Sequence, residues 1–231
     1  MFNTLKYNKI LTTVIVIAVV VIFAVIGFWG YDIYKRNKVN REAKAAVNEL
    51  DNQIADRSIK GIGKGNLVEN TNLDVNAVEL NITGNDTADE GSDPRKAKAT
   101  YKGFTMLGKI EIPKISLSLP VLDRATARSM EVSVGVAYGP GLNQVGNTVI
   151  MGHNYRNGTF FANLYKLEVG DPIYITDNSG TKLKYTAYNI YETSSSDFSY
   201  ASRDTAGKRE VSLSTCTDDV QNRLIVWARE N

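Results

Sequence analysis

Apolar residues follow three different rhythms along the 231-residue chain. From Ile10 to Tyr31 they continue for 22 residues with no charge, and Ile10–Ile26 is almost wholly Val, Ile, Leu and Ala. As an α-helix at ~1.5 Å per residue this run is about 33 Å long, enough to cross a hydrocarbon core of ~30 Å. Phe28, Trp29, Tyr31 and Tyr34 follow it in the manner of an interfacial aromatic belt. The run is long for a signal-peptide core, and bulky aromatics stand where a cleavage site needs small side chains. Residues 1–34 therefore read as a retained membrane anchor.

In the second rhythm, Val39, Ala43, Ala46, Leu50 and Ile54 recur at three- and four-residue steps, which predicts a polar helix with one apolar stripe over 39–59. Beyond it, Gly61, Gly63, Gly65 and Asn81-Ile82-Thr83-Gly84-Asn85-Asp86 read as loop or disordered chain. Residues 35–100 hold no aromatic side chain, and within 45–93 three basic residues stand against ten acidic ones, a net of −7. The segment is expected to be a polar spacer, partly helical or disordered, that holds a domain away from the bilayer.

From Tyr101 onward short apolar runs alternate with turn residues. Strands are predicted over Thr105–Ile112, Leu119–Leu122, Thr148–Met151, Pro172–Thr176, Lys182–Glu192, Glu210–Ser214 and Leu224–Ala228. Asp177-Asn178-Ser179-Gly180 joins two of them as a hairpin turn. One helix is predicted around Thr159–Leu167, where Phe160, Leu164 and Leu167 share a face. Residues 101–231 carry 14 of the 21 aromatic residues, with 14 basic and 13 acidic side chains. This is a mostly-β domain, large enough to bury a core, whose strand spacing suggests a closed barrel.

Composition narrows the chemistry. At 43% hydrophobic and 23% charged residues the chain is globular, and a formal charge of +2 lacks the broad basic field of a nucleic-acid binder. One cysteine, Cys216, permits no intrachain disulfide, and with a single histidine, His153, a structural zinc site of the Cys₄ or Cys₂His₂ type is excluded. Each of these two residues ends a predicted strand. Val149-Ile150-Met151-Gly152-His153 runs a buried strand into a Gly and then presents the imidazole, and Glu210–Cys216 does the same for the thiol. Arg223 opens the next strand, and a hairpin through Asp218–Asn222 sets it at the end of the strand beside Cys216. Taken singly, a lone Cys is most often a small buried hydrophobe, and a strand-opening Arg is usually solvated or salt-bridged. Together they suit acyl transfer. A thiolate needs a proton partner or positive neighbour, which His153 supplies, and a developing oxyanion needs a fixed donor, for which a guanidinium serves.

Ser212-Leu213-Ser214-Thr215-Cys216 resembles the signature of the sortase family, with Arg223 at the usual short distance downstream. Gly152-His153-Asn154 is similar to the sortase histidine motif, and Asn157-Gly158-Thr159-Phe160-Phe161-Ala162-Asn163-Leu164 resembles the family's helix that follows it. Gly108–Ile115 with Leu119-Pro120-Val121 resembles the first two strands, so the likeness spans about residues 103–231. It implies an eight-stranded β-barrel with short helices, behind a transmembrane helix and spacer, and a cysteine transpeptidase of the Gram-positive cell surface. In such an enzyme Cys216 attacks the Thr–Gly carbonyl of an LPxTG-like sorting signal on a surface protein, and His153 protonates the leaving amine. Arg223 holds the oxyanion, Thr215 and Ser214 contact substrate, and a peptidoglycan precursor or other amine resolves the thioacyl enzyme.

The histidine motif is like that of class B sortases, but the roughly 20 residues between Tyr191 and Val211 are short for the helical insertion of that class. Asp93-Pro94 is followed by Arg95 where a pilin-polymerising lid has an aromatic residue, and no hydrophobic C-terminal span is expected, which favours a single-span anchoring enzyme. No cofactor is implied. Calcium serves some class A sortases, but Asp123 and Glu131 are isolated carboxylates. The family places the barrel outside the membrane, whereas Lys35, Arg36, Lys38, Arg41 and Lys44 after the span, against Lys6 and Lys9 before it, favour a cytoplasmic C-terminus when counted alone. Two other readings of the residues stay open: a cysteine hydrolase with the same site, and a non-catalytic membrane-tethered module that binds wall material.

Overall fold

The computed structural model describes residues 4–62 and 99–231. The glycines Gly63 and Gly65 and the segment 81–86, read as loop from sequence, lie outside the described residues, and Gly61, read with them as loop, is instead helical.

Helix α1 runs unbroken from Thr4 to Ile62, 59 residues and so roughly 90 Å. No proline interrupts it, and over residues 35–62 the good helix formers Ala, Lys and Arg supply eleven of the 28 positions. Its N-terminal part leaves Val16, Ile22, Phe28 and Trp29 more than half exposed, and it is the one helix among the described residues long and apolar enough to cross a membrane. Its C-terminal part behaves differently from a spacer. The apolar stripe predicted from sequence is packed on the β domain: Ala43, Val47 and Leu50 are buried, with Val39, Ala46 and Ile54 packed alongside. Leu50 meets Tyr101, Met106 and Leu122. Ile54 covers the hairpin turn at Gly180, where a Cβ would come within 2.7 Å of its Cγ2. Two polar ties flank the stripe: Lys109 Nζ donates to Asp51 at 2.7 Å, and Lys102 Nζ lies 2.6 Å from Glu42. The expectation of a domain held off by this segment is corrected for the described helix. A helix with one apolar face buries it wherever a complementary face exists, and the barrel provides one.

Nine strands follow: β1 (Thr100–Tyr101), β2 (Phe104–Ile112), β3 (Leu117–Leu122), β4 (Val134–Tyr138), β5 (Gly146–Met151), β6 (Pro172–Asp177), β7 (Lys182–Ser194), β8 (Arg209–Cys216) and β9 (Asn222–Glu230). They pair in the order β1-β2-β3-β4-β5-β8-β9-β7-β6, and β6 pairs back on β2. That last pairing closes β2 to β9 into an eight-stranded barrel with β1 as a short addition, which removes the open edges of a sheet of this size. Pairs β3–β4 and β5–β8 are parallel and the rest antiparallel. Alternate side chains fill the interior, among them Ile110, Val121, Ile150, Ile173, Leu213 and Val226.

All seven predicted strands form. Sequence patterning missed two strands: β1, only two residues long, and β4, whose Val134-Gly135-Val136-Ala137-Tyr138 is short and holds a glycine. The helix predicted over Thr159–Leu167 is corrected to turns and a single 3₁₀ turn, Leu164–Lys166. Phe160 takes a left-handed φ of 49° and bridges Asn154 across the loop, which rules out helical geometry at its start. Between β7 and β8, residues 195–208 form only turns and irregular chain. This connection is pinned by Arg203, which bonds to the fully buried Glu210 of β8 and packs on Trp227. A helical insertion of the class B kind is therefore not found there.

Candidate active site

The parallel register of β5 and β8 decides where the imidazole and the thiol lie. Met151 is level with Ser214, so the residues just beyond it, Gly152 and His153, leave the sheet beside Thr215 and Cys216. Gly152 N donates to Ser214 O at 3.2 Å, and Thr215 Oγ1 donates to Gly152 O at 2.8 Å. Only glycine fits at 152, since a Cβ there would stand 2.6 Å from Val134 Cγ1 and 2.9 Å from the Phe161 ring.

Beyond the histidine, Asn154 closes the latch. Its Nδ2 donates to Cys216 O at 3.1 Å and to Asp218 Oδ1 at 2.8 Å, while its Oδ1 accepts from Arg156 N at 2.9 Å. Phe161 N donates to His153 O at 3.1 Å. The histidine is thus held on both flanks by bonds to the strand that carries the cysteine. Its ring is partly exposed and packs on Tyr155, with centroids 5.0 Å apart. Burial, and then the charge of Glu131, pushes the Tyr155 phenol above its ordinary pKa, so this neighbour is neutral.

Cys216 is a free, half-buried thiol at the end of β8. The tight connection to β9, in which Thr217 N donates to Asn222 O at 3.0 Å, sets Cys216 directly opposite Arg223. Antiparallel partners of this kind place their Cβ atoms ~4.5–5.5 Å apart on one face. Arg223 Nε donates to Ser195 O at 3.2 Å, and its guanidinium lies 5.4 Å from the Phe198 ring centre. None of the ion pairs among the described residues includes it. Asp218 is taken by Asn154, and Asp219 accepts from Thr217 Oγ1 and Gln221 N, so the surface ion pair that would make Arg223 merely structural is not formed.

Cys216 borders a groove of about 220 Å³ walled by Phe161, Ala162, Tyr165, Thr215 and Leu224, with Glu192 at its rim. The two residues expected to contact substrate separate here. Thr215 lines the groove, with its hydroxyl committed to Gly152. Ser214 is corrected: it is 1% exposed, its Oγ lies 3.3 Å from Tyr200 OH, and it does not reach the groove. Glu192 and Asp218 were not singled out by sequence reasoning, and Asn154 entered only as part of the histidine motif; its bond to Cys216 O becomes visible once the two strands are in register. Among the described residues, no three His, Cys, Asp or Glu side chains gather closely enough to hold a metal ion.

A thiol, an imidazole latched to its strand, a guanidinium in the facing register position and an apolar groove form an arrangement suited to acyl transfer. Comparison with known proteins agrees with this. The Sortase domain family model matches residues 110–231, more than half of the chain. Sortase A of Bacillus anthracis is 29% identical over 133 residues, which cover 56% of this chain and 62% of that protein, so the match spans less than two thirds of the relative. Sortase A from Corynebacterium diphtheriae superposes with a TM-score of 0.52 at 29% identity, covering 63% of this chain and 72% of that one. A Clostridium perfringens sortase C solved with the C-terminal cell wall sorting motif gives a TM-score of 0.50 at 25% identity, covering 55% and 70%. The matched region takes in His153, Cys216, Arg223 and nearly the whole barrel, and the chain belongs to the sortase family.

Proposed function

We propose that this chain is a membrane-anchored transpeptidase that joins surface proteins to an amine of the cell wall. One observation carries the reading: Cys216 and Arg223 are register partners while Asn154 ties the histidine loop to the Cys216 carbonyl. The Cys216 thiolate adds to the Thr–Gly carbonyl carbon of an LPxTG-like signal, and the negative charge that develops on oxygen is met by the Arg223 guanidinium. As the C–N bond breaks, the imidazolium of His153 gives its proton to the departing glycine nitrogen, leaving a thioester on Cys216. An amine from a peptidoglycan precursor or another acceptor then attacks that thioester. Its proton passes to the now neutral His153, and the thiolate leaves to restore the starting state. No metal or other cofactor is needed for these steps, and nucleic acid plays no part.

The reading places α1 across the cell membrane as a single pass, with the barrel on the extracytoplasmic side where wall and surface proteins meet. The Clostridium perfringens sortase C structure with a sorting motif supports the substrate class by relationship.

A screen of sorting-signal peptides with a glycine-based amine, read by mass spectrometry, tests the proposal. The expected result is a thioacyl adduct on Cys216 and an amine-ligated product, both lost in Cys216→Ala. Cleavage with water as the only acceptor would assign a hydrolase. No adduct with any peptide, together with unselective labelling of Cys216 by thiol probes, would leave a wall-binding module.

A further inference from the structure

The direction in which α1 crosses the barrel fixes which end of the catalytic domain meets the bilayer. Ile54 sits over Gly180, in the turn joining β6 and β7. Leu50, one turn of helix earlier, packs on Met106 and Leu122, and Met106 O accepts from Asn178 in that same turn. Arg36, near the other limit of the contact, donates from Nη1 to Asn157 O at 3.0 Å. Asn157 belongs to the loop that leaves β5 through His153, and Met151 of β5 is level with Ser214 of β8, so His153, Cys216 and Asn157 share one end of the barrel. The Gly180 turn lies toward the opposite end. Eighteen residues of helix separate Arg36 from Ile54, ~27 Å of axial rise. The membrane-spanning part therefore leaves the barrel at the catalytic end.

No flexible link intervenes. Tyr34, the last residue of the aromatic belt, is two residues and ~3 Å of helix rise from Arg36, within the same unbroken α1. Arg36 is further held by Asp32 at 3.4 Å, inside the helix itself. The loop it grips presents Tyr155, 45% exposed, and Arg156, also exposed. Lys35, Arg41 and Lys44 are exposed on the adjoining turns of α1. Tyrosine and arginine are side chains that favour the headgroup layer, with an apolar body and a polar tip, and lysines just beyond a span are drawn to anionic headgroups.

We infer that the loop 154–158 docks in the headgroup layer of the membrane that α1 spans, so that the catalytic mouth opens at the bilayer surface. Tyr155 makes this contact on one side and packs on the His153 ring on the other, which brings the general acid of the proposed mechanism next to the lipid boundary. The inference rests on α1 being a membrane anchor.

The test uses the full chain with Cys216→Ala, so that a single introduced cysteine carries a fluorophore, in vesicles of phosphatidylglycerol and phosphatidylethanolamine. Reporters are placed by Arg156→Cys in the loop, Ser179→Cys at the far turn and Val19→Cys in the span, with nitroxide lipids labelled either at the headgroup or deep in the acyl chain. Deep nitroxide is expected to quench the Val19 reporter. Headgroup nitroxide is expected to quench the Arg156 reporter several-fold more than the Ser179 reporter. Tyr155→Cys gives an independent second loop probe should Arg156→Cys fold poorly. A quenched Val19 reporter with equal, weak headgroup quenching at Arg156 and Ser179 would overturn the docking while leaving the anchor in place. An unquenched Val19 reporter would remove the anchor, and the docking with it.

Discussion

Asn154 is the perturbation that separates a latched histidine from one that merely lies nearby. Replacing it by Ala removes two donated bonds, to Cys216 O and Asp218 Oδ1, and one accepted from Arg156 N. Net contributions of ~0.5–1.5 kcal/mol for such bonds, discounted because the Asp218 bond is exposed, give a loss of about 2 kcal/mol. For a domain of this size that lowers Tm by roughly 6–10 °C, within the range of ~2–8 °C per kcal/mol. The kinetic effect has another origin. With the latch gone, nothing beyond Gly152 holds the imidazole against β8, and a displacement of ~1 Å at a reacting group costs on the order of a hundredfold. Acyl-enzyme formation is expected to fall 10- to 100-fold by the same reasoning, while alkylation of Cys216 by a small reagent persists. Asn154→Asp should be worse than Ala, since it sets a second carboxylate beside Asp218 and turns acceptor oxygens toward the Cys216 carbonyl. Rapid-quench acylation, alkylation rate and thermal melting on the same preparations decide the matter. An Asn154→Ala enzyme that acylates within twofold of the parent at the lowered Tm would refute the latch.

Arg223→Lys keeps the positive charge but loses the planar fork, and is expected to cut acylation about a hundredfold; because Arg223 makes no ion pair, Tm should move by less than ~1 kcal/mol equivalent, and an active lysine variant would sink the oxyanion role. Leu50→Ala empties a site that is 1% exposed between Tyr101, Met106 and Leu122 and should cost ~2–5 kcal/mol, read by melting and by faster hydrogen exchange in 43–54, whereas Asn48→Ala on the exposed face should stay within ~0.5 kcal/mol. Equal behaviour of the two would mean that the helix is an undocked spacer.

Much of the barrel was legible because β2, β3, β5 and β6 are short apolar runs ended by Pro113, Asp123, Gly152 and Asp177, and the Asp177–Gly180 turn carries its own chemistry. The stripe Val39–Ala43–Ala46–Leu50–Ile54 was legible too. What covers it was not, because a helical period names a buried face without naming its partner. Phe160 misled the helix prediction for a related reason: its left-handed backbone is imposed by the bridge to Asn154, which sequence spacing does not record. The trio His153, Cys216 and Arg223 came from rarity and from strand-end position. Ser214 was drawn in by its nearness to Cys216, and only its burial beneath Tyr200 shows that it does not reach the groove.

The pairing order also sets when, during folding, the site can exist. Strand β9 lies between β7 and β8, although it follows both in sequence. Cys216 sits on β8 and Arg223 on β9, while the histidine loop, 63 residues before Cys216 in sequence, has no partner for its latch until β8 arrives. Such non-local pairing is late by its nature, since the loop it closes must be ordered first. Until β9 has paired with β8 the thiol has no register partner in Arg223, so formation of that pair is also what assembles the candidate site.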